Sequence, residues 1–245
     1  MATRVSVCMA THNGGGHIKE QIESILSQLT DEDEIIISDD GSTDNTLDII
    51  DSFGDHRIKV HHYRQEHDFS HRKQASFYYA TANFFNSLTH ANGRYIFLSD
   101  QDDRWMKDKV SICLKELKNT DIINHNFSVM DSHGDIIEHK HLKCPVKGGL
   151  SFLNAIRLLP FRGCCLAFKR EVLESAMPFP RDIFLHDCWI GLRGVYKGFT
   201  FRFIDIPLIT YRRHESNVSS FNPHNPLWYK AAYRLKLLFQ VISRR

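Results

Sequence analysis

The sequence predicts an α/β fold, a Rossmann-like mixed sheet flanked by helices with a helical tail at the C-terminus, and three observations carry that prediction. Short apolar runs alternate with helical periodicity through the first hundred residues, as a parallel sheet requires. Three of those runs end in polar or glycine-rich loops, and ligands of open α/β sheets bind outside the carboxyl ends of their strands. With 245 residues and 42% hydrophobic content, the chain can bury one substantial core without disulfide or metal staples.

The elements follow in order. Val5–Ala10 reads as a strand, ends in Thr11-His12-Asn13-Gly14-Gly15-Gly16, and is followed by Ile18, Ile22, Ile25, Leu26 and Leu29 at helical spacing. Glu34–Ser38 is a second strand ending in Asp39-Asp40-Gly41-Ser42, and a helix runs from about Asp44 to Phe53. Ile58–Tyr63 gives a third strand, Ala75–Leu88 a helix, and Arg94–Leu98 a fourth strand that ends in Asp100, Asp102 and Asp103. Beyond residue 120 the alternation relaxes. Ile122–Met130 and Asp135–Ile137 flank Asp131-Ser132-His133-Gly134, a hairpin turn. Phe161–Phe168 reads as a strand, Lys169–Ala176 and Leu185–Val195 as helices, and Phe199–Ile209 as extended. No repeat or low-complexity linker interrupts residues 1–218, which are expected to form one domain.

Charge and cysteines exclude several classes. A net charge of +2 gives no broad basic face for nucleic acid. From Ser216 onward there is no acidic residue but five basic ones (Lys230, Arg234, Lys236, Arg244 and Arg245), so the rest of the chain carries −3. Cys8, Cys113, Cys144, Cys164, Cys165 and Cys188 form no C-x-x-C pair and mostly sit in apolar runs, which suits reduced, buried thiols. The first ten residues lack a signal-peptide layout, and no apolar run reaches the ~20 residues that span a bilayer. A cytoplasmic protein is expected.

The triple glycine fails the dinucleotide fingerprint, since Lys19 stands where a third spaced glycine belongs, and no Gly-Lys-Ser/Thr follows for a P-loop. Asp39-Asp40-Gly41-Ser42-Thr43-Asp44 offers carboxylates for a base or ribose, with Ser42 or Asp44 available to cap the next helix. Leu98-Ser99-Asp100-Gln101-Asp102-Asp103-Arg104-Trp105 carries the strongest signal. Acids clustered at a buried strand end repel one another unless a cation compensates them, and a hard ion such as Mg²⁺ or Mn²⁺ suits carboxylates plus diphosphate oxygens. Five histidines between His56 and His71 match no zinc spacing and read as a polar loop. Asp187, between His186 and the apolar Cys188-Trp189, is a candidate general base. Tyr211-Arg212-Arg213-His214-Glu215-Ser216-Asn217 sets cations and a metal-ligating histidine after an extended segment.

Together these segments resemble the family-2 glycosyltransferases of the GT-A fold, within them the rhamnosyltransferase-like group. The resemblance rests on Val5–Asn13, Ile22–Gln28, Ile37–Asp44, Asn92–Trp105, Gly163–Phe168, His186-Asp187 and Tyr211–Asn217, in family order across about 215 residues. It implies that residues from about 1 to 105 bind the nucleotide sugar and that 106–218 face the acceptor. Thr11, Asn13, Asp39, Asp100 and Gln101 would contact the donor, with Asp39 on the base. Asp102 foremost, then Asp100 and His214, would hold a divalent cation, Mn²⁺ or Mg²⁺. Asp187 would be the catalytic base, with His186, Trp105 and Arg212 as further site residues. His12 stands where the family has an aromatic residue, and Glu66–Ser76 lacks an expected glycine pattern. No Gln-x-x-Arg-Trp motif is present, which disfavours a processive synthase.

The implied reaction is an inverting, metal-dependent transfer of rhamnose or another hexose from a UDP- or dTDP-sugar to a saccharide or polyprenyl-linked acceptor, in cell-surface polysaccharide synthesis. Two rivals are a nucleotidyltransferase acting on sugar phosphates and a non-catalytic nucleotide-sugar-binding scaffold. In the tail, 219–245, Trp228, Ala231, Ala232, Leu235, Leu238, Phe239 and Ile242 recur at helical spacing, with Lys230 and Arg234 on another side. This basic amphipathic helix would lie on the inner face of the membrane or pack against the body or a second subunit.

Overall fold

A computed structural model describes residues 4–72, 74–142, 149–214, 217 and 226–243. Cys144, Glu215, Ser216, residues 218–225 and the terminal Arg244 and Arg245 lie outside the described residues.

The strand–helix alternation appears where the periodicity predicts it. Strand β1 (Val5–Thr11) leads to α1 (Ile18–Leu26), β2 (Glu34–Asp39) to α2 (Thr46–Ser52), and β3 (Ile58–His62) to α3 (Ala75–Thr89) and β4 (Tyr95–Ser99). A two-residue β5 (Arg104–Trp105) precedes α4 (Lys109–Leu117) and β6 (Ile122–Met130). Then come β7 (Ile136–Glu138), α5 (Phe152–Leu158), β8 (Leu166–Lys169), α6 (Arg170–Ala176), α7 (His186–Tyr196), β9 (Phe201–Arg212) and α8 (Leu227–Ser243). The sheet runs in the order β3-β2-β1-β4-β8-β6-β9-β5, with β7 paired to β6. Strands β3, β2, β1 and β4 are parallel; β8 joins β4 antiparallel and β9 runs parallel to β6. The sheet is mixed, as expected.

Parallel strands bury both faces, so their sequences read as continuous apolar runs rather than alternations. Val5, Val7, Met9 and Phe97 face α1 and α4, while Cys8, Ile96 and Leu98 face α3, α6 and α7. Full burial of a side chain such as Ile22 contributes roughly 1.5–3 kcal/mol. Gly93 belongs to this packing, because a Cβ there would stand 2.4 Å from the Ser6 amide nitrogen. That close approach requires glycine in the Asn-Gly-Arg entry to β4.

Three parts differ from the sequence expectation. The strand placed at Phe161–Phe168 is confined to Leu166–Lys169, because Gly163–Cys165 form a 3₁₀ turn while Asn124 Oδ1 captures the Arg162 amide. Helices α4 and α5 were not anticipated, although Val110, Cys113 and Leu117 carry helical spacing into the core. In α8, the residues picked out by periodicity are not the ones seated on the body. Leu237 and Val241 are fully buried against it, whereas Trp228, Leu235, Phe239 and Ile242 point away. The five described cysteines are free and buried, as reduced thiols would be.

Candidate active site

The carboxyl ends of β1, β2 and β4 converge on one edge, and side chains tie their loops together. Thr11 lies beside Asp39 in the β1–β2 register, and its hydroxyl donates to Asp39 Oδ1 at 3.0 Å. The Ser42 amide donates to Asp39 Oδ2 at 2.9 Å, so a buried carboxylate has a bond on each oxygen. The Asn13 amide donates to Ser42 Oγ, and Asn13 Oδ1 accepts from the Thr43 amide at 2.8 Å. Asp44 receives the Thr46 amide and the Gly15 amide, which ties the start of α2 to the triple-glycine loop. Gln101 bridges from the β4 loop, accepting the His12 amide at 3.0 Å and donating to the His12 carbonyl at 3.2 Å. Gly14 leaves room for it, since a Cβ there would meet Gln101 Oε1 at 2.4 Å.

The acids after β4 are held differently. Asp102 Oδ2 meets His214 Nε2 at 2.9 Å and accepts from Asn217 Nδ2 at 3.3 Å. Asp103 is buried, with Oδ1 accepting the Arg212 amide at 3.1 Å and Oδ2 without a partner among the described residues. Asp100 keeps an edge at the surface, yet the protein packed around it pushes it up to about 7, with the Asp102 carboxylate adding to the rise. Burial likewise pushes Asp103 well above the usual carboxylate range. Beneath them sits Lys109, fully buried, with Nζ donating to the Cys164 carbonyl at 2.9 Å and lying 3.8 Å from the Trp105 ring centre. Burial lowers its pKa.

Asp187 opens α7. Its Oδ2 accepts the Gly163 amide at 3.0 Å and its Oδ1 the Cys188 amide at 2.6 Å, bonds that fix the carboxylate plane. Its charge contributes to the raised affinity of Asp100 for a proton, which puts the two carboxylates in one field. His186 stacks on Phe84 at 4.0 Å, and burial lowers its pKa. Its Nε2 is buried without a partner among the described residues.

The structure brings Thr11, Asn13, Asp39, Asp100, Gln101, Asp102, Asp187 and His214 to this edge. Two predicted site residues serve other ends. Trp105 is a core residue, 4% exposed, packed on Phe97 at 5.8 Å and reached by Lys109; its backbone pairs with β9 because the apolar ring is the anchor that turns the acidic loop back into the sheet. Arg212 is a buried tie whose guanidinium bonds Glu20 and the Asp102 carbonyl, which leaves it holding the loop from behind. Gln21, unremarked in the sequence, donates to Ser99 Oγ at 2.7 Å and the Asp100 carbonyl at 3.0 Å. A polar residue on the apolar face of α1 was the available signal. Lys109 escaped notice because nothing in sequence separates a buried lysine from a helix-start lysine.

A divalent cation fits this donor set. Asp102 and His214 present oxygen and imidazole donors on one point, and neighbouring Asp103 has an oxygen that no group among the described residues satisfies. Ligand atoms of Asp100, Asp103 and Cys164 also lie within 4.8 Å of one another. Buried acids left short of hydrogen bonds are relieved by positive charge.

Comparison with known proteins agrees with this geometry. The profile of "Glycosyl transferase family 2" matches residues 6–176. Among curated relatives, dTDP-rhamnosyl transferase RfbG of Shigella flexneri is 29% identical over 238 residues, 92% of this chain and 77% of that protein. UDP-Glc:alpha-D-GlcNAc-diphosphoundecaprenol beta-1,3-glucosyltransferase WfgD of Escherichia coli is 30% identical over 222 residues, 88% of this chain and 79% of that protein. Among solved structures, mannosyltransferase PcManGT of Pyrobaculum calidifontis, in complex with GDP-Man and Mn²⁺, superposes with a TM-score of 0.60 at 21% identity, over all of this chain and 65% of that one. That likeness shows a shared GT-A fold.

Proposed function

The chain belongs to glycosyl transferase family 2, and from that premise we propose how its residues carry out the transfer. The activity is nucleotide-sugar glycosyl transfer in cell-surface polysaccharide synthesis, supported by relatives named for rhamnosyl and glucosyl transfer. Family membership sets aside the nucleotidyltransferase reading.

The observation that carries the assignment of roles is the meeting of Asp102 and His214, 112 residues apart in sequence, at 2.9 Å beside the buried, under-satisfied Asp103. Asp102 and His214 would hold a divalent cation, Mn²⁺ or Mg²⁺, with Asp100 adjacent. When bound it supplies positive charge for the departing nucleoside diphosphate. Thr11, Asn13, Asp39 and Gln101 shape the nucleoside pocket. Asp39 does so while anchoring Ser42, so its spare lone pairs are what remain for the base. Gln101 fastens the pocket's floor through His12.

Asp187 takes the proton of the acceptor hydroxyl as that oxygen attacks the anomeric carbon; the bond to the diphosphate breaks on the opposite face, inverting configuration. The Gly163 and Cys188 amides hold the carboxylate in place for this, so less orientational entropy is lost at the reaction step. The donor is a UDP- or dTDP-sugar, rhamnose or another hexose. The acceptor is a lipid-linked saccharide, the class named for the relative WfgD, and the enzyme works at the cytoplasmic face of the membrane. Calorimetric titration with UDP and with dTDP, each with Mn²⁺ and with chelator, tests this reading. Cation-dependent binding of one nucleotide is expected; binding of either that is indifferent to chelator removes Asp102 and His214 as cation ligands.

A further inference from the structure

Helix α8 has two apolar faces on opposite sides. One is seated: Leu237 and Val241 are fully buried, Tyr233 packs on Phe184 at 4.3 Å, and Arg193 of α7 donates to the Val241 carbonyl at 2.9 Å. The other is outward: Trp228, Leu235, Phe239 and Ile242 are 70%, 66%, 73% and 49% exposed. At 100° per residue these four fall within a narrow sector, with Ala232 at its edge. A helix that has already satisfied its packing needs no second apolar stripe for stability. Among the described residues nothing covers it.

Charge selects the occupant. Arg234 and Lys236 of α8 flank the stripe on either side, Lys230 lies behind it, and the helix carries no acid; neighbouring α5, bonded to α8 through Arg234 and the Ile156 carbonyl, adds exposed Arg157 and exposed Leu153. Asp182, whose carbonyl accepts Lys236, has its carboxylate paired with Arg72. A second copy would bring two like-charged rims together, whereas anionic headgroups complement the rim while acyl chains take the stripe. Among the described residues no helix is long and apolar enough to cross a membrane, so the contact lies in the interface plane.

We propose that the outward face of α8, Trp228-Leu235-Phe239-Ile242 with its basic rim, docks the protein on an anionic bilayer. The proposal rests on the lipid-linked acceptor inferred above. Through Tyr233 and Phe184 the docked helix packs against the start of α7, where Asp187 sits, so docking holds the base near the surface from which such an acceptor projects.

Trp105 and Trp189 are buried, 4% and 0% exposed, so Trp228 alone of the three tryptophans reports the event. The full chain is mixed with phosphatidylcholine vesicles with and without phosphatidylglycerol, and tryptophan emission and co-sedimentation are read. A blue shift and binding only with phosphatidylglycerol, reversed by salt, are expected. The Leu235→Ser/Phe239→Ser double variant, its melting temperature checked, should bind about tenfold less or weaker still, since two buried apolar side chains are lost. No shift in the wild type, equal binding by the variant, or a shift that grows with protein concentration without lipid (a second copy on the stripe) overturns the proposal. Cation-dependent nucleotide binding in the same preparation separates the two readings. If it persists while docking fails, only the membrane face is wrong; if it is absent while docking holds, the cation-site reading fails and the membrane face stands.

Discussion

Strands β2 and β4 both end in carboxylates at the same edge of the sheet, yet the two ends are built on opposite principles. Asp39 is 1% exposed, but each of its oxygens has a donor from Thr11 or Ser42, so its burial is balanced within the protein. After β4, Asp103 is equally buried with one oxygen unserved among the described residues, and Asp100 is pushed up to about 7. The lesson is that acid clusters cannot be read by count alone. An acid supplied with donors is architecture that also touches ligand; an acid left short is a place prepared for charge to arrive.

The contrast can be broken by mutation. Asp102→Ala should lower kcat/KM by about 10⁴-fold and abolish cation-dependent donor binding in calorimetry, with little change in melting temperature. Asp187→Asn should lower kcat by about 10³-fold in steady-state assays while KM for the donor holds, because its role begins only at proton transfer. Asp39→Ala should behave in the reverse sense. It strands the Ser42 amide and Thr11 hydroxyl and should cost about 1–3 kcal/mol in denaturant unfolding. A stable Asp39→Ala protein or an unfolded Asp102→Ala protein would erase the distinction.

Protonation sharpens it. Asp100 holds its proton to about pH 7 in the folded protein but ionises near its ordinary value of 3.8 when unfolded. The folded state therefore binds more protons between those values, and stability falls as pH rises through that window. Melting temperatures of the chelated protein should decline from about pH 4 to 7, and saturating Mn²⁺ should flatten the decline. A pH-independent chelated protein would mean the β4 acids are already compensated. The smallest effect is expected from Gly14→Ala. The displaced Gln101 end is flexible, so the loss is its two bonds to His12, seen as a few-fold rise in donor KM.

Much of this was legible in the sequence because apolar runs and acidic loops are local signals. Strands β1 to β4, their helices and the acids at 39 and 100–103 follow from periodicity and from residues adjacent in the chain. Asp187 and His214 were candidates from their local sequence, and the family resemblance, a pattern of motifs in order, implied their roles. What stayed hidden depends on partners far away. Nothing local marks Trp105 as a core anchor, because its packing on Phe97 and pairing with Ile209 arise only after the sheet closes. Arg212 looks like a free cation until Glu20 of α1 is folded against it. Gln21 and Lys109 occupy core-facing positions where polarity is the anomaly, and only their contacts give it meaning. The α8 periodicity picked out one apolar stripe and left its partner open among membrane, body and second subunit; the body takes the opposite face, Leu237 and Val241, because apolarity does not say which of two faces will be seated.

The bonds that complete the acidic loop also set an order of assembly. Arg212 reaches Glu20 across 192 residues and His214 reaches Asp102 across 112, while the loop itself is finished early in the chain. Contacts of such long sequence separation form late in folding, and during synthesis they must wait for the last strand to emerge from the ribosome. The nascent chain thus carries its carboxylates long before it gains the histidine and arginine that organise them. Competence for chemistry arrives only when the whole sheet has closed.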